Sequence, residues 1–133
     1  MDMASYGFSV TVKGDVEAVR ERVIEALKAE GFGVLTEIDV QRTLKEKLGE
    51  DMRPYRILGA CNPPLAHRAL TAEPGVGLLL PCNVVVREVA DGEVEVAFMD
   101  PESVLGVVGN PALAPLGAEV KTRLERVRDA VAG

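Results

Sequence analysis

The chain has 133 residues, 47% hydrophobic and 27% charged, with a formal net charge of −6. This length fits one domain, taken as residues 1–133, that can bury a core without disulfides or metals. The acidic balance argues against a nucleic-acid partner and against anionic membranes. Two cysteines point to a reducing compartment, and we expect a cytoplasmic protein.

The first five residues, Met1-Asp2-Met3-Ala4-Ser5, lack the basic start and apolar core of a signal peptide, and no apolar run reaches membrane-spanning length. Tyr6 to Val12 alternates and is rich in strand formers, so it reads as a first strand. Lys13-Gly14-Asp15 turns the chain, with Asp15 as a helix cap. The helix that follows runs to about Glu30. Val16, Val19, Val23, Ile24 and Leu27 form its apolar stripe, and Glu17, Arg20, Glu21, Glu25 and Lys28 form a face read as solvated. Gly31 closes it.

Phe32 to Ile38 reads as a second strand. Asp39 then caps a short helix with Val40, Leu44 and Leu48 inward and Gly49 as its stop. After a loop, Tyr55 to Ala60 suits a buried strand, and Cys61 follows it. Asn62 has the character of an N-cap, Pro63 occupies the first helical position, and Leu65, Ala69 and Leu70 give the helix an apolar side. Glu73-Pro74-Gly75 ends that helix. Gly77 to Val89 is the longest apolar strand region, edged or bulged at Pro81, which cannot donate to a ladder. Asp91-Gly92 signals a hairpin into Glu93–Met99. A two-residue turn predicts Val85 opposite Phe98, Val89 opposite Val94, and Glu88 set unfavourably against Glu95.

Asp100-Pro101 starts a turn or short helix, and Leu105 to Gly109 is a glycine-flanked apolar linker. It has no Walker lysine to make it a phosphate cradle. Asn110-Pro111 repeats the cap-plus-proline device. Leu113, Leu116, Val120, Leu124, Val127 and Val131 recur through the last helix, with Arg123, Arg126 and Arg128 placed to complement its dipole. The order β-α-β-α-β-α-β-β-α predicts an α+β domain.

Chemistry concentrates at Gly59 to Arg68, which holds one cysteine and the only histidine. Cys61 stands just before a helix N-terminus, where a thiolate is favoured. With His67 as base it makes a candidate catalytic pair; with Ala66 it makes a hydrophobic staple. Cys61, His67 and Cys82 are candidate ligands for zinc or copper(I), with Glu73 or Asp100 able to complete a set. Amide side chains are scarce, a composition that also suits heat adaptation, and Asn62, Asn83 and Asn110 are candidate cofactor-binding residues. The Leu78–Val86 stretch, apolar on both faces, predicts an interface or pocket and hence a homodimer. The expected function is a non-enzymatic domain that binds a small ligand or metal ion; the alternative is an enzyme using the Cys61 thiolate.

Four segments carry a family resemblance: residues 31–39 and 43–48, Ile57-Leu58-Gly59-Ala60-Cys61-Asn62-Pro63, and Gly77-Leu78-Leu79-Leu80-Pro81-Cys82-Asn83-Val84. Through them nearly the whole chain resembles domain-of-unknown-function family 302. The resemblance implies a TATA-binding-protein-like arrangement, a curved, mainly antiparallel sheet with helices packed on one face. Arg87 departs from the pattern, standing where an aromatic residue is expected. The resemblance implies no activity, and the fold name does not bring DNA binding with it.

Overall fold

A computed structural model describes residues 5–133; the leader reading of residues 1–4 lies outside them. Five strands form one antiparallel sheet: β1 (Gly7–Lys13), β2 (Gly33–Asp39), β3 (Tyr55–Cys61), β4 (Cys82–Ala90) and β5 (Glu93–Met99). Their spatial order is β1-β5-β4-β3-β2, so β4 and β5 are inner strands and β1 and β2 are edges. The helices are α1 (Val16–Ala29), α2 (Val40–Leu48), α3 (Pro63–Ala72), α4 (Pro101–Gly106) and α5 (Ala114–Ala132), with 3-10 turns at Pro74–Leu79 and Pro111–Leu113. The α+β class and the antiparallel sheet are as expected.

Strand alternation gives the sheet two unlike faces. Val94, Val96 and Phe98 of β5, Val84 and Val86 of β4, and Leu58 and Ala60 of β3 share one face. They pack on the apolar stripes of α1 (Val16, Val19, Val23, Leu27) and α5 (Leu116, Val120, Leu124, Val127, Val131) as one buried cluster. Phe8 stacks on Phe98 at 5.4 Å between centroids, and the Arg128 guanidinium covers Phe8 from 5.4 Å.

The predicted caps at Asp15, Asp39 and Asn62 form, Asn110 caps the 3-10 turn ahead of α5 rather than α5 itself, and Asp100 adds a cap to the short α4. Asp15 accepts from the Ala18 amide, Asp39 from Arg42, Asn62 from Leu65, Asp100 from Glu102 and Ser103, and Asn110 from Ala112. Such a cap stabilises its helix by about 1 kcal/mol. Gly31 ends α1 as expected. Its amide donates to the Lys28 carbonyl and that of Phe32 to the Leu27 carbonyl, with Gly31 left-handed at φ 85°. A β-carbon there would lie 3.0 Å from Asn62 Nδ2.

Four local readings change. First, β4 begins at Cys82, not Gly77; Pro74, Gly75 and Gly77 favour the tight 3-10 turn, and Pro81, which cannot donate, stays outside an inner strand. Second, the β4–β5 register breaks between Glu88 and Ala90, a bulge that leaves Val89 unpaired. It brings Glu95 opposite Arg87 instead of Glu88, and Val84 instead of Val85 opposite Phe98, which exchanges a like-charge pair for an opposite-charge one. Third, no residue of α2 is buried and Leu48 is exposed, because α2 lies against β2 and β3 outside the core cluster.

Fourth, charges read as solvation or dipole partners tie elements together. Arg20 of α1 donates Nε and Nη2 to both oxygens of Glu37 on β2, at 2.5 and 2.6 Å. Arg56 of β3 donates to Glu37 at 2.7 Å and to Glu17 of α1 at 2.5 Å. Arg123 of α5 reaches the Glu30 carbonyl, and Arg126 the Glu30 carboxylate, so both tie α5 to the end of α1, Arg123 while also pairing with Glu119 of its own helix.

Arg20 and then Arg56 hold the Glu37 carboxyl below its ordinary value of 4.5. A depressed acid contributes stability above its unfolded-state pKa and loses it as pH falls through the folded one. Glu37→Gln should therefore melt lower than the parent at pH 7, and the gap should shrink as pH falls below the ordinary carboxylate value and close once the pH is below the depressed folded-state value. Thermal denaturation across pH 2–7 checks this; a constant gap at every pH would show that Glu37 acts through packing alone.

Candidate functional site

Where β3 ends and β4 begins, the helical layer does not close over the sheet. Ala60 and Cys82, register partners on β3 and β4, form the floor of a cavity of about 310 Å³. Leu65, Ala66 and Ala69 of α3 make one wall, and Leu105, Leu116 and Val120 of α4 and α5 make the opposite one. Small side chains at Ala60, Ala66, Ala69 and Gly77 leave the space. Leu35 and Leu70 line the mouth and are exposed there, 66% and 40%. Leu35 sits at an irregularity in β2, between Val34 and Thr36, where the ladder to β3 skips a residue.

The α4 wall is fixed from behind. Lys121 of α5 pairs with Asp100 at 2.9 Å, and at Gly117 the two helices come so close that a β-carbon would lie 3.1 Å from Glu102 Cα.

The cavity is nearly all carbon. Its polar members are Cys61, Asn62 and Cys82. Asn62 is committed elsewhere: its Oδ1 accepts from the Leu65 amide and its Nδ2 donates to the Glu30 carbonyl. Burial raises the pKa of Cys61, against the lowering expected from the helix N-terminus. Pro63 at the first helical position offers no amide to a thiolate there. Cys82 is pushed up to about 11, by burial first and then by its neighbour Cys61. Both thiols are thus protonated at neutral pH and present sulfur as a soft apolar surface. They are free cysteines, Cys61 half-buried and Cys82 buried.

The cavity brings together Cys61, Asn62 and Cys82 from the predicted site residues. His67 is exposed on α3 and does not line it. Among the described residues no three His, Cys, Asp or Glu side chains converge as a metal cluster would require. Asn110 lies apart: its amide nitrogen donates to the Ala72 carbonyl and to Glu73, joining the ends of α3 and the second 3-10 turn. Asn83 is exposed on the other face of the sheet. That face holds a residue that the sequence reading placed only as a strand neighbour of Glu88 and not in a site. Glu95, only 4% exposed, accepts from Arg87 Nε at 3.0 Å. The one available signal was an acid at the middle of an inner strand.

No helix among the described residues is long and apolar enough to cross a membrane. No curated protein matches the chain. The crystal structure of an uncharacterized conserved DUF302 protein from Bacillus stearothermophilus is similar, with 36% identity and a TM-score of 0.88 over 96% of this chain and 99% of that one. The family model described as domain of unknown function DUF302 matches residues 8–131. With that match over almost its whole length, the chain belongs to the DUF302 family.

Proposed function

We propose that this domain is a non-enzymatic binding domain whose cavity at the β3–β4 end takes a small, neutral, apolar molecule. The observation that carries the reading is the cavity itself, about 310 Å³ bounded almost wholly by aliphatic carbon and two protonated thiols. Pockets of this volume and lining suit small ligands, and apolar cavities take apolar guests in preference to water. The thiols contribute polarisable contacts, and Cys61, nearer the mouth, places a sulfur where a thiophilic group on the guest meets it.

A soft ion is the second reading of the same thiols. Two thiols on one cavity wall suit copper(I) better than zinc, which takes four ligands in structural sites. The enzyme reading with His67 as base loses support, since His67 stands off the cavity. We also propose a homodimer, now on different residues. On β4 the face away from the core carries Asn83, Val85 and Arg87 and is not continuously apolar. Exposed apolar residues elsewhere include Leu35 and Ile38 on edge strand β2 and Leu78, 92% exposed, in the 3-10 turn. Exposed apolar patches and bare sheet edges favour association.

N-phenyl-1-naphthylamine, a neutral apolar dye, should bind saturably at one site per chain with enhanced fluorescence. Ala66→Phe, which fills the cavity from its wall, should abolish this while leaving the far-UV circular dichroism unchanged. Dye binding that survives Ala66→Phe unaltered would place the site elsewhere.

In the same preparation Cys61, read alone in Cys82→Ala, should alkylate slowly at neutral pH and faster as pH rises past the usual thiol range. The dye should protect it, and Cys82, read in Cys61→Ala, should react far more slowly. Fast alkylation of Cys61 at pH 7 would show a thiolate and revive the nucleophile reading.

Sedimentation equilibrium at micromolar concentration should give twice the 14.2 kDa chain mass, and Leu78→Asp with Leu35→Lys should return it to the monomer. A parent chain that sediments as a monomer overturns the dimer.

A further inference from the structure

The face of the sheet away from the core helices carries its own cleft. Strand register lays one row of side chains across it: Thr11 on β1, Glu95 on β5, Arg87 on β4 and Tyr55 on β3. In the next row Ser9 on β1 is followed by the apolar Ala97, Val85 and Ile57. Together with Tyr6, Asn83 and Val104 of α4, residues of these rows line a cavity of about 320 Å³. Ala97 is buried here yet lies outside the core cluster.

The two charged groups of the cleft are unequally held. Glu95 is anchored at the centre of an inner strand, and its side chain is 5% exposed. The Arg87 side chain is 37% exposed, and among the described residues its guanidinium bonds only to Glu95, through Nε. A desolvated carboxylate needs a cationic partner, because leaving it unpaired is costly. A half-exposed arginine, by contrast, re-enters water at little cost. The arginine is therefore the exchangeable member of the pair and the glutamate the fixed one.

The surroundings suit a second cation. Both tyrosines of the chain, Tyr6 and Tyr55, border the cleft, and tyrosine faces attract cations. Val85, half-buried beside Glu95, offers apolar surface for a flat body, with Ala97 behind it in the cleft lining. The protein's net charge of −6 raises the local concentration of cations.

We propose that this cleft is a second small-molecule site, selective for flat aromatic cations of the amidinium or guanidinium class, which bind Glu95 in place of Arg87. The guest's planar N–H groups pair with the carboxylate as the resident guanidinium does, and its ring lies along Val85 and Ala97. The site is separate from the apolar cavity on the other face and does not depend on it.

The test uses 4-aminobenzamidine against the full chain, with the neutral 4-aminobenzamide and the anionic 4-aminobenzoate as isosteres. Isothermal titration should show binding of the amidine alone, with amide NMR shifts concentrated at Val85, Glu95 and Ala97. Glu95→Gln should weaken it by about tenfold or more, the usual worth of a hydrogen bond to a charged group. Arg87→Met, which removes the competitor and keeps an apolar stem, should tighten it, and Ala66→Phe should leave it unchanged. Failure of the amidine to bind, equal binding of the three isosteres, or preference for the benzoate with loss in Arg87→Met would each overturn the proposal.

Discussion

The carbonyl of Glu30 is the joint on which the helical layer depends. It ends α1 and, being past the helix, has no partner within it. Asn62 Nδ2 donates to it at 3.4 Å and Arg123 Nη1 at 3.0 Å, so one oxygen receives the start of α3 and the middle of α5. The same asparagine caps α3 through its Oδ1, and the Glu30 carboxylate takes Arg126. Gly31 makes the meeting sterically possible, since its left-handed turn and missing β-carbon leave room for the Asn62 amide. Three helix segments thus meet at one residue, and one of them, α3, is a wall of the cavity.

That joint explains why the cavity lies at one end of the sheet. Helices α1 and α5 cover the sheet along Val94, Val96 and Phe98, held at one side by Arg20–Glu37–Arg56 and at the other by Arg123 and Arg126. Helix α3 joins this layer through Asn62 at its N-terminus and Leu65 and Ala69 along its length, and Asn110 holds its last turn through the Ala72 carbonyl. Beyond Ala69 the chain leaves through the 3-10 turn from Pro74 to Leu79, and α4 is pulled the other way, onto α5, by Lys121 and the close approach at Gly117. The gap between α3 and α4 has Cys82 and Ala60 at its base because these are the strand positions left uncovered when the two short helices diverge.

Local signals were legible in the sequence and non-local ones were not. The caps at Asp15, Asp39, Asn62 and Asn110 could be read because a cap and the amide it satisfies lie within three residues of each other. The stripes of α1 and α5 could be read because their period is set by one helix alone. The bulge at Val89 could not, since a hairpin's register is decided jointly by turn, twist and facing residues. Its one clue was the conflict it removes, Glu88 against Glu95. The roles of Arg20, Arg123 and Arg126 were hidden because their partners lie 17 residues or more away along the chain. Residue type drew attention to His67, yet a helix placed its side chain away from both cavities. The carbon-lined cavity left no motif because it consists of small residues, Ala60, Ala66, Ala69 and Gly77, whose shared effect exists only once four elements surround them.

Those small residues bear on function as well as on form. An apolar cavity in a closed core costs about 24 cal/mol for each Å³ left unfilled. Leucine or methionine at Ala66 or Ala69 would fill much of the space and keep helix propensity. The chain instead surrounds the space with alanine and glycine and leaves Leu35 and Leu70 partly in water at its mouth. At the other face it buries a carboxylate at the centre of a strand position that Thr, Val or Ile would occupy at less cost. Folding demands neither choice. Each sacrifices stability at one concave spot while the caps and ion pairs elsewhere remain satisfied, with no buried side-chain nitrogen or oxygen left unpartnered among the described residues. Local departures of this kind within an otherwise consistent sequence are what the two proposed binding sites require.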